Sequence, residues 1–289
     1  MLDGRKVDLR VSTFPGSRGE KTVIRVLDTR NVSLNLRDLG FGEDVLELFQ
    51  QSITAPNGIV LVTGPTGSGK STTLYAALNE VASMENNVCT VEDPIEYIHT
   101  FKNCVVTQRE IRLHAPTLAD ALRDAVREDP DVILVGELRS AEEISLALTA
   151  AETGVQIYGT LHTSGAARTI DRVINTFPAN RQEQARSMLA DSLRMILSQR
   201  LLRTADGSRR VAALEILVNT KAVKSNIRAA TSHKLASVIQ TGAAAGMRTM
   251  DSSLLALVDK GTVSPSEAVE HASDPTLFES RGVRVGEPA

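Results

Sequence analysis

The sequence contains no tryptophan and only three tyrosines, so nothing in it suggests a platform of aromatic rings on which nucleic-acid bases could stack. Its formal charge of -3 comes from 32 basic and 35 acidic side chains mixed along the chain, which creates no global field toward DNA or an anionic bilayer. Only two cysteines are present, Cys89 and Cys104, far apart and without CxxC spacing, which argues against a disulfide framework and a structural zinc knuckle and fits a reducing cytoplasm. Nowhere do about eighteen apolar residues run together, and the amino end has no apolar export segment, so neither a membrane span nor an export signal is read. There is no low-complexity tract and no internal repeat. At 289 residues the chain has material for one large folded domain, or for a domain plus a smaller piece.

Residues 5–28 alternate apolar and polar side chains around a turn at Pro15–Gly19, predicting a two-stranded hairpin with a long loop. Such a unit is too small to fold alone and is expected to rest on something else. A polar connector and a short helix carrying Val45, Leu46 and Phe49 fill residues 31–57, a hinge region. The apolar run Gly58–Thr63 then reads as a parallel strand buried on both faces.

Leu74, Ala77, Leu78 and Val81 follow at helical spacing. Further strands are expected over 88–91, 131–135 and 155–161, with helices over 118–127, opened by a Thr117 and Asp120 capping signal, and over 141–151. Strand alternating with helix predicts an α/β fold: a RecA-like P-loop core with a parallel sheet, spanning 58–275 after a hairpin region at 1–30. After Asn180 the pattern turns mostly helical. Leu189, Leu193, Ile196, Leu197 and Leu201 are expected as one helical stripe, followed by a strand over 211–217 and more helices to about residue 271. Residues 276–289 are expected as a flexible tail.

Between the first buried strand and its helix lies Gly64-Pro65-Thr66-Gly67-Ser68-Gly69-Lys70-Ser71, continued by Thr72. The glycines let backbone N–H groups curl around phosphate oxygens at a helix N-terminus, Lys70 reaches the outer phosphates of ATP, and the Ser71 hydroxyl is a ligand for Mg²⁺. Turnover needs acids from elsewhere. Asp131–Glu137 is an apolar strand ending in a carboxylate, which makes Glu137 the candidate for polarising the attacking water. Glu92, Asp93 and Glu96, around Pro94, are expected to face the metal and its waters; the alternative is a solvated acidic turn. His162 at the next strand end is a candidate γ-phosphate sensor or a partner of Glu137, or else a satisfied structural histidine. Arg10, Arg18 and Arg25 in the hairpin could bring charge to the phosphates on closure, or be ordinary surface arginines.

These residues resemble a known family, the type II/IV secretion and type IV pilus motor ATPases, from about Asp8 to Pro275. Thr90–Tyr97 looks like the family's Asp box, Arg127–Arg139 like its atypical Walker B, and Gly159–Thr163 like its His box. The resemblance implies that the hairpin is the end of an upstream PAS-like domain. It also implies homo-hexameric rings with ATP between the two domains, Glu137 as catalytic glutamate, and arginines of the amino domain completing the site. A ring of this kind would work in the cytoplasm against an inner-membrane pilus or secretion platform protein, peripheral to the membrane through that partner, with no nucleic acid.

The family's assembly and secretion motors usually carry a four-cysteine zinc insertion, and two cysteines cannot make one, which favours the pilus-retraction branch. Residues 171–178 and 239–251 are similar to that branch as well, whereas Asp8–Ser12 is more similar to the secretion and assembly branch. Ser140 stands where the family has Asp, Gln156 where the His box often has a second histidine, and the retraction helix signature is present as Ala222–Ala229 without its final acid. Secretion or assembly motor, nucleic-acid translocase and regulatory nucleotide-binding partner are the alternatives.

Overall fold

The computed structural model describes residues 8–27, 35–82, 85–100 and 104–281. Strands β1 (Asp8–Gly16) and β2 (Gly19–Leu27) form an antiparallel pair of their own. Gly16 faces Gly19, so the turn is two residues long, tighter than the loop expected from Pro15–Gly19; Gly19 supplies the positive φ of +116° that closes it. Leu9, Val11, Phe14, Val23, Ile24 and Val26 are all more than half exposed, as befits a hairpin that forms no core by itself.

The remaining strands form one seven-stranded sheet. They are β3 (Gly58–Thr63), β4 (Asn87–Glu92), β5 (Val105–Glu110), β6 (Val132–Val135), β7 (Gln156–Leu161), β8 (Leu193–Arg203) and β9 (Arg210–Val218), in the order β5-β4-β6-β7-β3-β8-β9. All neighbours are parallel except β8 and β9. A parallel sheet brings the ends of β3, β4, β6 and β7 to one edge, where α/β folds place their ligands.

Side chains alternate between two cores. Ile59 and Leu61 of β3 pack into one with Ile133, Ile157 and Ile196, and Val60 and Val62 into the other with Leu134, Tyr158 and Leu197. The first core is covered by α3 (Leu118–Ala125), α4 (Ala141–Glu152), α5 (Ala166–Asn175), α6 (Gln182–Ser192), α7 (Lys221–Arg228) and α8 (Leu235–Thr241). The second is covered by α1 (Glu43–Ile53) and α2 (Lys70–Ala82). Helix α1 is the short helix expected in the 31–57 connector; its Phe49 and Ile53 are fully buried, and Tyr158 donates its hydroxyl to the Ile53 carbonyl at 2.6 Å.

Two expectations are corrected. The helical stripe from Leu189 to Leu201 breaks at Ser192, and Leu193–Arg203 is a strand beside β3. A strand buried on both faces is a continuous apolar run, which fits helical spacing as well as it fits a strand. The segment after Pro275 is packed as far as the described residues go: Pro275–Arg281 is a 3-10 turn whose Phe278 is fully buried. Phe278 joins a third core with α9 (Met250–Asp259) and α10 (Pro265–Val269) against Leu202 and Ala213. Strand β5, unforeseen, lies at the sheet edge with partly exposed side chains and so lacks an apolar run.

Candidate nucleotide site

Strand β3 runs straight into the glycine-rich loop, and α2 starts at Lys70. Gly64, Gly67 and Gly69 have φ of +142°, +79° and +88°, conformations that side chains strain. A Cβ on Gly64 would lie 2.2 Å from the Gln199 carbonyl oxygen, so the loop packs directly on β8. Thr66, Gly67, Gly69, Lys70, Ser71 and Thr72 line a cleft of about 810 Å³; Gly64 and Ser68 are buried and, like the exposed Pro65, are not among its lining residues. The Lys70 ammonium donates to the Gly64 and Pro65 carbonyls, each at 2.9 Å. Burial pushes its pKa below the usual lysine value, against the opposing pull of the Glu137 and Glu96 carboxylates.

Glu137 follows β6 and reaches the same cleft. Its turn is pinned on both sides: the Gly136 N–H donates to Val91 at 2.8 Å, and the Leu138 N–H donates to Thr160 at 3.0 Å. Arg139 Nη2 donates to Glu137 Oε2 at 2.5 Å, and His162 Nε2 lies 3.4 Å from the same oxygen. Burial pushes the Glu137 carboxyl up, but the Arg139 hydrogen bond and the charges of His162, Arg139 and Lys70 outweigh it and hold the carboxyl below its ordinary value. His162, just past the end of β7, thus stands beside Glu137.

Glu92 lines the same cleft as Ser71, Asp93 and Glu96, although little of it is exposed. It is the last residue of β4 and its side chain stands on the sheet face, 3% exposed. Its oxygens accept from Tyr75 Oη at 2.5 Å, Thr90 Oγ1 at 2.7 Å and Gln108 Nε2 at 3.3 Å. Burial raises its pKa despite these donors. Asp93 pairs with Arg112 Nη2 at 3.2 Å, while Asp93 and Glu96 both line the cleft. Among the described residues no three His, Cys, Asp or Glu side chains stand close enough together to hold a metal ion unaided.

Arg18 is exposed in the hairpin turn, and it is not among the residues that line the cleft. Arg10 and Arg25 are cross-strand neighbours whose side chains lie outside what is described. Two of the departures from family pattern have local explanations. Ser140 caps α4 in a capping box with Glu143. Gln156 sits at the opposite end of β7 from His162, buried, donating to the Ser52 carbonyl at 3.0 Å.

Sequence reasoning passed over three residues that shape the site. Arg139 was visible only as part of a motif, although a charge two residues beyond a strand-end carboxylate is a signal. Tyr75 is one turn into α2, on the side that meets the sheet. Gln199 lay hidden in the run misread as helix.

Residues 1–264 match the family model described as type II/IV secretion system protein. A twitching motility protein of Neisseria gonorrhoeae is 48% identical over 266 residues, covering 92% of this chain and 70% of that protein. The type IV pilus retractation ATPase PilT of Pseudomonas aeruginosa is 47% identical over 270 residues, covering 93% of this chain and 76% of its own length. A crystal structure of the pilus retraction motor PilT with bound ADP superposes with a TM-score of 0.82 at 39% identity, over 94% of this chain and 76% of that one. The chain therefore belongs to the type II/IV secretion system protein family.

Proposed function

We propose that this chain is a motor ATPase that hydrolyses Mg-ATP and drives retraction of a type IV pilus. The carrying observation is that the loop after β3 and the carboxylate after β6 open on one cleft, which Lys70, Ser71 and Glu137 all line. Similarity to relatives named for twitching motility and pilus retraction supports the pilus role.

Backbone N–H groups of Gly67 and Gly69 and the start of α2 bind the phosphates, and Lys70 exchanges its loop carbonyls for phosphate oxygens. Glu137 orients and deprotonates the attacking water, held in place by Arg139 and His162. Mg²⁺ fits the donor set: a hydroxyl at Ser71 with Asp93 and Glu96 at the rim suits a cation that keeps most of its waters and is held mainly by phosphates. When bound, it neutralises charge on the transferring phosphoryl group.

The exposed apolar faces of the hairpin support assembly with further copies, read here as a homo-hexamer in which Arg10, Arg18 and Arg25 complete a site. Among the described residues no helix is long and apolar enough to cross a membrane, and we place the ring in the cytoplasm, at the membrane through a platform protein.

The test is steady-state phosphate release with Mg-ATP on the purified chain, together with its mass in solution. Glu137→Gln should abolish release and still bind ATP, and Lys70→Ala should lose both. Turnover undiminished in Glu137→Gln would overturn the catalytic assignment.

A further inference from the structure

Gln199 is 3% exposed in the middle of β8, far in sequence from the phosphate-binding loop, yet its side chain makes two contacts there. Nε2 donates to the Ser68 carbonyl at 2.6 Å, and Oε1 accepts from Thr73 Oγ1 in the first turn of α2 at 2.9 Å. Both bonds are buried, and the Ser68 carbonyl, which can only accept, settles which end of the amide is nitrogen.

Carbonyl and N–H point in opposite directions across a trans peptide. Holding the Ser68 carbonyl toward β8 therefore turns the Gly69 N–H the other way, and Gly69 lines the cleft. The two approach closely: a Cβ on Gly69, whose φ of +88° already favours glycine, would lie 2.8 Å from Gln199 Nε2 and push the amide aside.

We propose that Gln199 is a positioning residue for nucleotide binding, its side-chain amide presetting the Ser68–Gly69 peptide so that the Gly69 N–H faces phosphate. The proposal rests on the reading of the loop as the ATP site. Without the amide, the Ser68 carbonyl and the Thr73 hydroxyl are buried without their partner, and the peptide is free to turn its carbonyl toward the phosphates.

Equilibrium binding of ADP and the kinetics of Mg-ATP turnover should be compared for wild type, Gln199→Leu and Gln199→Glu, with Lys70→Ala as reference. Every measurement is made well below the melting temperature of the variant concerned. Gln199→Leu should weaken ADP about tenfold, the effect of one lost buried hydrogen bond. Gln199→Glu keeps the volume and the Thr73 bond but sets a carboxylate against a carbonyl, so it should bind ADP more weakly still. In both, KM should rise by a larger factor than kcat falls, a split that loss of packing alone would not produce. Gln199→Met replaces the leucine variant if that fails to fold. Wild-type affinity in the Gln199 variants, beside lost binding in Lys70→Ala, would reduce Gln199 to packing and overturn the proposal alone. Wild-type affinity in Lys70→Ala as well would overturn the ATP-site reading and this proposal with it.

Discussion

Arg139 and His162 converge on one oxygen of Glu137, the guanidinium at 2.5 Å and the imidazole at 3.4 Å. A carboxylate so held is kept ionised and aimed, at the cost of some basicity. The activity of an enzyme with Glu137 as base falls as pH drops through the pKa of that carboxyl, which burial raises and the Arg139 and His162 contacts bring below the ordinary value. In Arg139→Gln the burial stays and two of the opposing influences go, so the acid limb of the kcat/KM profile should move to higher pH. An acid limb that stays in place would show that Arg139 does not govern Glu137.

Glu92 carries a second pH signature, in stability. Its folded pKa is raised by burial above the ordinary 4.5, so the folded state holds its proton more tightly than the unfolded one. That contribution is complete below the unfolded pKa and is lost as pH rises through the folded value. Glu92→Gln has no such titration. The melting temperature of wild type minus that of the variant should therefore grow as pH is lowered from neutrality toward the unfolded value. A constant difference would mean that Glu92 is not buried as described.

How much of this site is legible depends on where each residue stands relative to its strand. Gly64 to Ser71, Glu137 and His162 follow strand ends, where a parallel sheet presents its ligands, and short motifs locate them without knowledge of packing. Glu92 is one residue earlier, still paired within β4, and its side chain is held under Tyr75 while it lines the same cleft. That difference is a matter of one residue in strand length, beyond what an apolar run can resolve. Gln199 is invisible for another reason: β8 is covered on both sides, so its apolar residues do not alternate and the strand reads as helix. The hidden edge strand β5 shows the converse, a strand with too little burial to leave a pattern.

Ser140, where the family has aspartate, is a helix cap in this chain. Its hydroxyl accepts from the Glu143 N–H at 3.3 Å, and the Glu143 carboxylate accepts from the Ser140 N–H at 2.9 Å. Ser140→Ala should lower unfolding stability by about 1 kcal/mol in urea titration, whereas Ser140→Asp, also a good cap, should not. Equal stability of the alanine variant would show that α4 does not depend on this cap.

Phe278 anchors the last described turn to the rest of the molecule. It is fully buried among Leu202, Ala213, Met250 and Leu254, and the chain approaching it is held where Asp251 accepts from the Ser273 and Asp274 N–H groups at 2.7 and 3.1 Å. The Asp251 bonds are exposed and contribute little beside the ring, whose removal leaves a cavity between β8 and α9. Phe278→Ala should cost about 3 kcal/mol or more of unfolding free energy, and Phe278→Leu distinctly less, since leucine refills part of the space. A Phe278→Ala protein as stable as wild type would mean that the segment after Pro275 is not part of the cooperative fold.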